Sequence, residues 1–262
     1  MENEPFIRLG VFVGVFALMA GWEALRPARA RSISQPRRWA VNWGVAIVDA
    51  LVVRLLFPAA AVGAALDAAA GGWGLFNALD LPVWLAIAAT LLILDLAIWG
   101  QHVATHKVPL LWRLHRVHHS DRDMDVTTAI RFHPIEIALS MILKIGLVYA
   151  LGAPAIAVLA FEVLLNGCAM FNHSNIRLPG GAERVVRALF VTPDMHRIHH
   201  STVRAEHDRN YGFNLSIWDR MFGTYLARPA AGQDGMTIGL DGVQDDRPAR
   251  FGWTLTFPFR KG

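Results

Sequence analysis

Eight of the eleven histidines in this chain fall into three short words: HVATH (His102, His106), HRVHH (His115, His118, His119) and HRIHH (His196, His199, His200). On a helix, residues four apart share a face, with Cβ atoms about 5–6 Å apart. A dication held at about 2.0–2.1 Å by imidazole nitrogens can bridge such a pair. One such word alone is as readily polar surface as a metal pair. Three of them, with every histidine of the chain lying between His102 and His207, point to a polyhistidine metal site. Within HxxHH the rings span an arc of about 100° at 3.6 residues per turn, so one ring can serve a different ion from its neighbours. Eight neutral imidazoles are too many for one ion of about four to six positions, and two ions are therefore expected. Imidazole suits iron, zinc and copper alike. Zinc would act as a Lewis acid for hydrolysis and iron would activate dioxygen; ligand type leaves that choice open.

Helices must carry these words to one place. HVATH continues an apolar stretch and ends at Pro109, which a helix interior does not accommodate cheaply. Pro109 can also open the next helix, PLLWRLHRVHHS, so the break lets the first two words turn toward each other. Thr192 is a natural N-cap and Pro193 fits the first position of a helix bearing the third word.

The remaining sequence is that of a membrane protein. Of 262 residues 54% are hydrophobic and 18% are charged, below the ~25% charged usual for soluble domains, and the mean hydropathy is +0.34. The net charge of +4 comes largely from arginines that flank apolar stretches. They form no separate basic domain, so nucleic acid is not an expected partner. They suit a face against anionic headgroups. The single Cys168 permits no internal disulfide. MENEPFIRLG lacks the cationic start of a signal peptide, so the first apolar stretch is expected to be a retained helix.

The spacing predicts spans at about residues 6–25, 42–66 and 82–100, and a further apolar stretch, 135–170, split at Gly152-Ala153-Pro154. That last stretch is read as a helical hairpin, with a shallow re-entrant pair as the alternative. The segment 26–38 carries five arginines and no acid, a cytoplasmic signature. Residues 67–81 carry two aspartates and no Lys or Arg, and belong on the opposite side. This topology puts every histidine on the cytoplasmic face without having used them. The fold class expected is all-α: a multi-pass helical bundle of about four or five membrane segments with a cytoplasmic, histidine-rich, metal-binding helical cap. Residues 230–248 read as a polar loop, and RFGWTLTFPF as an amphipathic tail of unread role. No dinucleotide fingerprint, P-loop or CxxCH haem motif is present, so electrons for any redox chemistry would come from another protein.

The order HVATH, HRVHH nine residues on, and later HRIHH resembles the fatty acid hydroxylase and sterol desaturase superfamily of integral-membrane diiron enzymes. So do the words PLLWRLHRVHHSDRDMDVTTAIRFHPIE, FNHSNIRLP and TPDMHRIHHS leading into NYGFNLSIWDRMFGTY. The likeness covers about residues 95–225, within one membrane domain spanning 1–262. It implies an iron pair, which zinc can replace in purified protein, with dioxygen as co-substrate and a separate redox partner. It implies hydroxylation or desaturation of a fatty-acyl, sterol-like or other lipid drawn from the bilayer, in what is expected to be a bacterial inner membrane. The ligand histidines of the family carry over to His102, His106, His115, His118, His119, His196, His199 and His200, with His173 of FNHSN as a ninth. The short gap between the first two words resembles the hydroxylase branch. Alternatives are a dizinc membrane hydrolase and a membrane metal transport or storage protein; the latter would place its ligands near the bilayer midplane.

His133, before Pro134, is a further candidate ligand, the alternative being a turn residue. His207, in RAEHDRN, reads as solvent-exposed. Asp194 could orient a ligand histidine or sit favourably at a helix N-terminus. Asp95, seven residues before His102, could face the metal-bearing interior or make a helix–helix hydrogen bond. Asn172, Asn175 and Asn210 could donate near the metals or cap loops. Trp22, Trp39, Trp84 and Trp112 read as interfacial anchors. Arg113, Arg116, Arg122, Arg197 and Arg204 read as contacts for lipid headgroups or for an acidic electron donor.

Overall fold

Proline placement and apolar periodicity explain most element boundaries in the computed structural model, which describes residues 3–260. Helix α1 spans Glu4–Leu25 and α2 Gln35–Leu56; α3 (Ala60–Gly71) and the short turn α4 (Leu75–Ala78) follow, and α5 runs from Val83 to Lys107. Beyond Pro109 come α6 (Pro109–His119), α7 (Pro134–Leu151), α8 (Ala155–His173), α9 (Gly180–Leu189) and α10 (Pro193–His199). Among the described residues the only β pairing is in isolated bridges such as Phe190 with Leu215. Five helical segments are long and apolar enough to cross a membrane. The chain is an all-helical membrane bundle with a histidine-rich region at one end.

The second expected span, 42–66, is corrected. Helix α2 stops at Leu56, because Pro58 lacks the amide proton a continuing helix needs. Beyond it the chain forms α3, whose Ala61, Val62 and Ala65 pack in one cluster with Val148, Leu151 and Val158 of α7 and α8. Part of the expected 67–81 connection is therefore helical. It closes on the α7–α8 turn so tightly that a Cβ on Gly74 would stand 2.0 Å from the Gly152 amide nitrogen. Gly74 sits at φ 95° and Gly152 at φ 65°, conformations that glycine adopts without steric cost. Helices α7 and α8 have 18 and 19 residues, about 27–29 Å of rise, enough to traverse most of a ~30 Å hydrocarbon core.

The arginine-rich link 26–38 lies at the histidine end of the bundle, and the Gly-rich segment with α3 lies at the other. Arg29 donates to the carbonyls of Gln233 and Met236, and the amides of Ser32 and Ile33 donate to Asp123. Arg38 is fully enclosed: it forms a bidentate pair with Asp121 at 2.7 and 2.8 Å and reaches Asp125 at 2.8 Å. Burial alone would raise the Asp121 carboxyl, but the charge and hydrogen bonds of Arg38 outweigh it and hold it well below the usual carboxylate range.

The tail has a definite place. Trp253 and Phe257 pack with Val117 of α6, and Arg131 donates to the carbonyl of Pro248 and to the hydroxyl of Thr254. Residues 230–248, expected as a polar loop, bury Met236, Ile238 and Val243 against this cap.

Candidate metal centre

Four helices deliver nine histidines to one buried volume. His102 and His106 end α5; His115, His118 and His119 lie on α6; His173 is the last residue of α8; His196 and His199 lie on α10, with His200 as its C-cap. The local sequence sets each approach. Pro109 opens α6 directly after α5 ends, and Thr192 Oγ1 accepts from the Met195 amide at 3.3 Å to start α10 at Pro193. All nine rings are at most 6% exposed.

The rings sort into two sets, within each of which the candidate ligand nitrogens lie within 4.8 Å of one another: His102, His106, His115, His119 and His199, and His118, His173, His196 and His200. Residues four apart stay together, as His102 with His106, His115 with His119, and His196 with His200. The odd ring of each HxxHH word crosses to the other set. Helical periodicity makes this division: positions i and i+4 share a face while i+3 is rotated away from i+4 by about 100°. The sets adjoin, with the His119 and His200 rings 4.5 Å apart, centroid to centroid.

Several rings have a fixed tautomer. A backbone carbonyl can only accept, so His102 Nδ1–H donates to Tyr211 O at 2.6 Å, His173 Nδ1–H to Ala169 O at 2.7 Å, and His199 Nδ1–H to Arg209 O at 2.8 Å. His118 Nδ1 makes a longer contact of 3.3 Å to Arg131 O. His115 Nδ1 lies 2.6 Å from a carboxylate oxygen of Glu136. Their Nε2 lone pairs then face inward, where His102 and His115 meet at 3.1 Å and His173 meets His118 at 3.1 Å. Two bare nitrogen lone pairs at that distance repel unless a cation lies between them. Both ring nitrogens of His106, His119 and His200, and Nε2 of His199, are buried without a hydrogen-bond partner. Burial, reinforced by neighbouring imidazoles, holds His118, His119, His196, His199 and His200 well below the ordinary histidine value. They are therefore in the neutral, ligating form at neutral pH. Donor type, tautomer and orphaned nitrogens all fit metal ions.

His133 stands outside both sets. It caps α7, its Nδ1 accepting from the Ile135 amide at 3.2 Å while Nε2 faces Leu255 O at 3.2 Å. Pro134 fixes the helix start there and turns the ring toward the tail. His207 is not solvent-exposed as expected: its side chain is 13% exposed and stacks on Trp112, because the short helix it ends folds back over α6. With Asp208 and His106 it forms a smaller third group. Asp194 pairs with Arg197 and Arg177, not with a histidine. Asp95 makes an inter-element bond, accepting from Trp218 Nε1 at 2.7 Å. Asn172 donates to Phe213 O, Asn175 to Arg29 O and Asn210 to Met195 O, loop-fastening roles in each case. Arg197, expected at a headgroup surface, is enclosed at 1% exposure, and Arg116 lies over the Phe257 ring. Trp39 donates to Asp125 and Trp112 packs on His207, so these two are not simple interfacial anchors.

Glu136 and the Arg38–Asp121–Arg131 network escaped the sequence reading. Glu136 sits in the first turn of α7, where an acid reads as a dipole partner, and nothing in its spacing reveals contact with a ring 21 residues back. Phe132, stacked on His118 at 4.3 Å between ring centroids, was likewise unmarked.

A cavity of about 580 Å³ opens beside His102, His115 and Glu136 and rises between α1, α2, α5, α7 and α8. Ile98, Ile137, Met141 and Leu165 line it, so α5 and the α7–α8 hairpin wall it, with Phe12 and Trp43 adding α1 and α2.

Residues 87–224 match the family model described as fatty acid hydroxylase. The chain is 33% identical over 158 residues to an ornithine lipid hydroxylase, OlsE, of Rhizobium tropici, covering 60% of this chain and 47% of that protein. It is 33% identical over 135 residues to the alkylglycerol monooxygenase of Homo sapiens (51% of this chain, 29% of that one). It is 26% identical over 141 residues to the cholesterol 25-hydroxylase of Rattus norvegicus (53% and 46%). The matched region is thus less than half the length of each relative. No solved structure matches significantly.

Proposed function

The chain belongs to the fatty acid hydroxylase family, and on that premise we propose that it is a membrane lipid mono-oxygenase with a histidine-ligated pair of iron ions. One observation carries the reading: two converging sets of inward-facing imidazoles stand at the foot of an apolar cavity. His102, His106, His115, His119 and His199 would hold one ion, and His118, His173, His196 and His200 the other. Bound there, an iron pair supplies activation of dioxygen and removal of hydrogen from a lipid carbon, with electrons from a separate donor protein. That the relatives are named for hydroxylation of lipids supports an alcohol as product.

The chain's own residues bind and orient. Apolar side chains of the cavity exclude water and contribute about 0.8 kcal/mol for each buried methylene of the substrate. Phe132 and Phe213 line its floor next to His102 and His115. Glu136 holds the Nδ1 proton of His115, which fixes the ring and makes Nε2 a better donor to metal. The carbonyls of Tyr211, Ala169 and Arg209 do the same for His102, His173 and His199. Glu136→Gln keeps the shape but weakens that polarisation, and it should lower metal affinity or turnover about 10–100-fold. Elemental analysis after dialysis checks this, and unchanged affinity and turnover would remove Glu136 from the role.

The deciding experiment incubates iron-loaded protein in membranes with a reductant system and ¹⁸O₂, followed by mass spectrometry of the lipids. Label in a lipid hydroxyl is expected. Unlabelled loss of two hydrogens would indicate desaturation, and turnover that needs no dioxygen would favour a dizinc hydrolase.

The histidine end is proposed to be cytoplasmic, because the arginine-rich link 26–38 lies there. In a chain lacking Cys168, cysteines introduced at the exposed positions Arg204 and Gly71 should label from opposite sides of the membrane. Labelling of both from one side overturns the topology.

A further inference from the structure

Buried acceptors without donors are rare in folded proteins, and each one asks for a partner. The apolar cavity contains three. Asp49 of α2, 8% exposed, leaves Oδ1 without a hydrogen bond. Gln101 of α5 leaves Oε1 bare, and Glu136 of α7 leaves Oε2 bare while its other oxygen holds His115. All three residues line the same cavity as His102 and His115. Asp49 lies seven residues along α2 from Asn42, whose amide reaches Asp121 and Thr127 of the metal-bearing cap. That is about 10 Å of helix rise from those contacts, within the span. A carboxyl at such a depth in a membrane span is costly and marks a site where something polar is met.

The cations of this cavity do not answer these acceptors. Arg8 and Lys144 are both committed to Glu162, at 2.5 and 2.6 Å, farther up the same cavity. Glu162 is thereby satisfied and Asp49 is left facing the lumen.

We propose that Asp49, Gln101 and Glu136 form an accepting subsite for a hydrogen-bond donor, a hydroxyl or an ammonium, carried by the lipid near the carbon that reacts. The inference rests on the cavity being the substrate site, as in the mono-oxygenase reading. It adds that a plain hydrocarbon chain is the poorer ligand. A donor in this place satisfies oxygens that would otherwise stay desolvated and unpaired, and it fixes the depth and rotation of the chain beside the metals. Apolar walls alone leave a chain free to slide.

The test is binding, without turnover. Zinc-loaded protein in phosphatidylcholine nanodiscs is titrated with a long-chain alcohol, the matching long-chain amine, and the methyl ether of the alcohol, which accepts but cannot donate. The alcohol or the amine should bind about tenfold tighter than the ether, the weight of one hydrogen bond to a strong acceptor. Asp49→Leu should abolish that preference while leaving ether binding in place. Asp49→Asn keeps an accepting oxygen but loses the charge. Retained preference for the alcohol in that variant identifies a hydroxyl, and selective loss of amine binding identifies an ammonium. Equal affinity of the wild-type protein for all three probes overturns the subsite, whatever the variants do. The mono-oxygenase reading would survive that result, since it stands or falls on ¹⁸O incorporation.

Discussion

His118→Ala and His200→Ala are expected to empty the same metal position, although their words start 81 residues apart in the chain, and His199→Ala is expected to empty the other. Each single variant should fall from two ions per chain toward one, and each should lose lipid oxygenation to background. The magnitude follows from ligand count. Loss of an outer hydrogen-bond partner costs about 10–100-fold in metal affinity, and loss of a direct ligand from a set of four or five costs more. The crossing of odd rings between sets gives a sharper consequence. The double variant His118→Ala/His200→Ala should retain about as much metal as either single one, because both rings serve one ion. His118→Ala/His199→Ala should retain almost none. Neighbouring ligands couple in this way and distant ones add. Elemental analysis of dialysed, reconstituted protein reads the outcome. A single tightly held ion in fully loaded wild-type protein would sink the dinuclear reading. Zinc in place of iron would not, since zinc binds divalent sites more tightly than ferrous iron.

Arg38→Met is expected to destabilise the cap by several-fold more than any surface change, while Arg37→Ala, one residue away, should shift stability by less than about 0.5 kcal/mol. Arg37 is exposed. Arg38 is 2% exposed and is the cationic partner of two buried carboxylates, Asp121 and Asp125. Removing one side of a buried pair leaves uncompensated charge and costs about 3–5 kcal/mol, against a total stability usually of about 5–15 kcal/mol. The pH dependence has a definite sign. In the wild type the Asp121 carboxyl is depressed, so its contribution is full above the unfolded value near 3.9 and is lost only as pH falls through the lower folded value. In Arg38→Met the same carboxyl stays buried with only the charge of Arg131 nearby, and burial favours its protonated form. The stability difference between the two proteins should therefore be largest near neutral pH and shrink on acidification. Thermal unfolding in nanodiscs at several pH values measures it. A deficit that grows in acid would refute the pairing as its cause.

Much of this molecule was legible in residue order. Prolines at 109 and 193 marked the starts of α6 and α10, because proline both stops a helix and fits its first turn. The apolar stretches forecast the long helices, but residues 42–66 contain Pro58, and α2 ends before it. Local chemistry also gave the neutral nitrogen donor set, since eight imidazoles at i, i+3 and i+4 spacing have few other uses. The arginine bias foretold that the link after α1 and the histidines would share one end of the bundle, and the packing of residues 26–38 on the cap agrees.

Which ring joins which set was decided by packing alone. Helical periodicity fixes that His115 and His119 share a face and that His118 does not, but only the placement of α8 and α10 supplies His173 and His200 as partners for the odd ring. The same limit separates Arg37 from Arg38, identical in type and adjacent in sequence, yet one lies in solvent and the other between two aspartates. It excludes His133, whose ring turns to the tail, and admits Glu136, whose carboxylate meets His115 across two helices. Spacing along a chain determines directions relative to one helix axis, because the backbone repeat is rigid and local. Contacts between elements depend on how several axes are brought together, and that is set by the summed burial of side chains far apart in sequence. The sequence by itself determined the kind of chemistry and the helices that bear it; the tertiary structure decided the partition of the ligands, the residues that polarise them, and the cavity with its unmet acceptors.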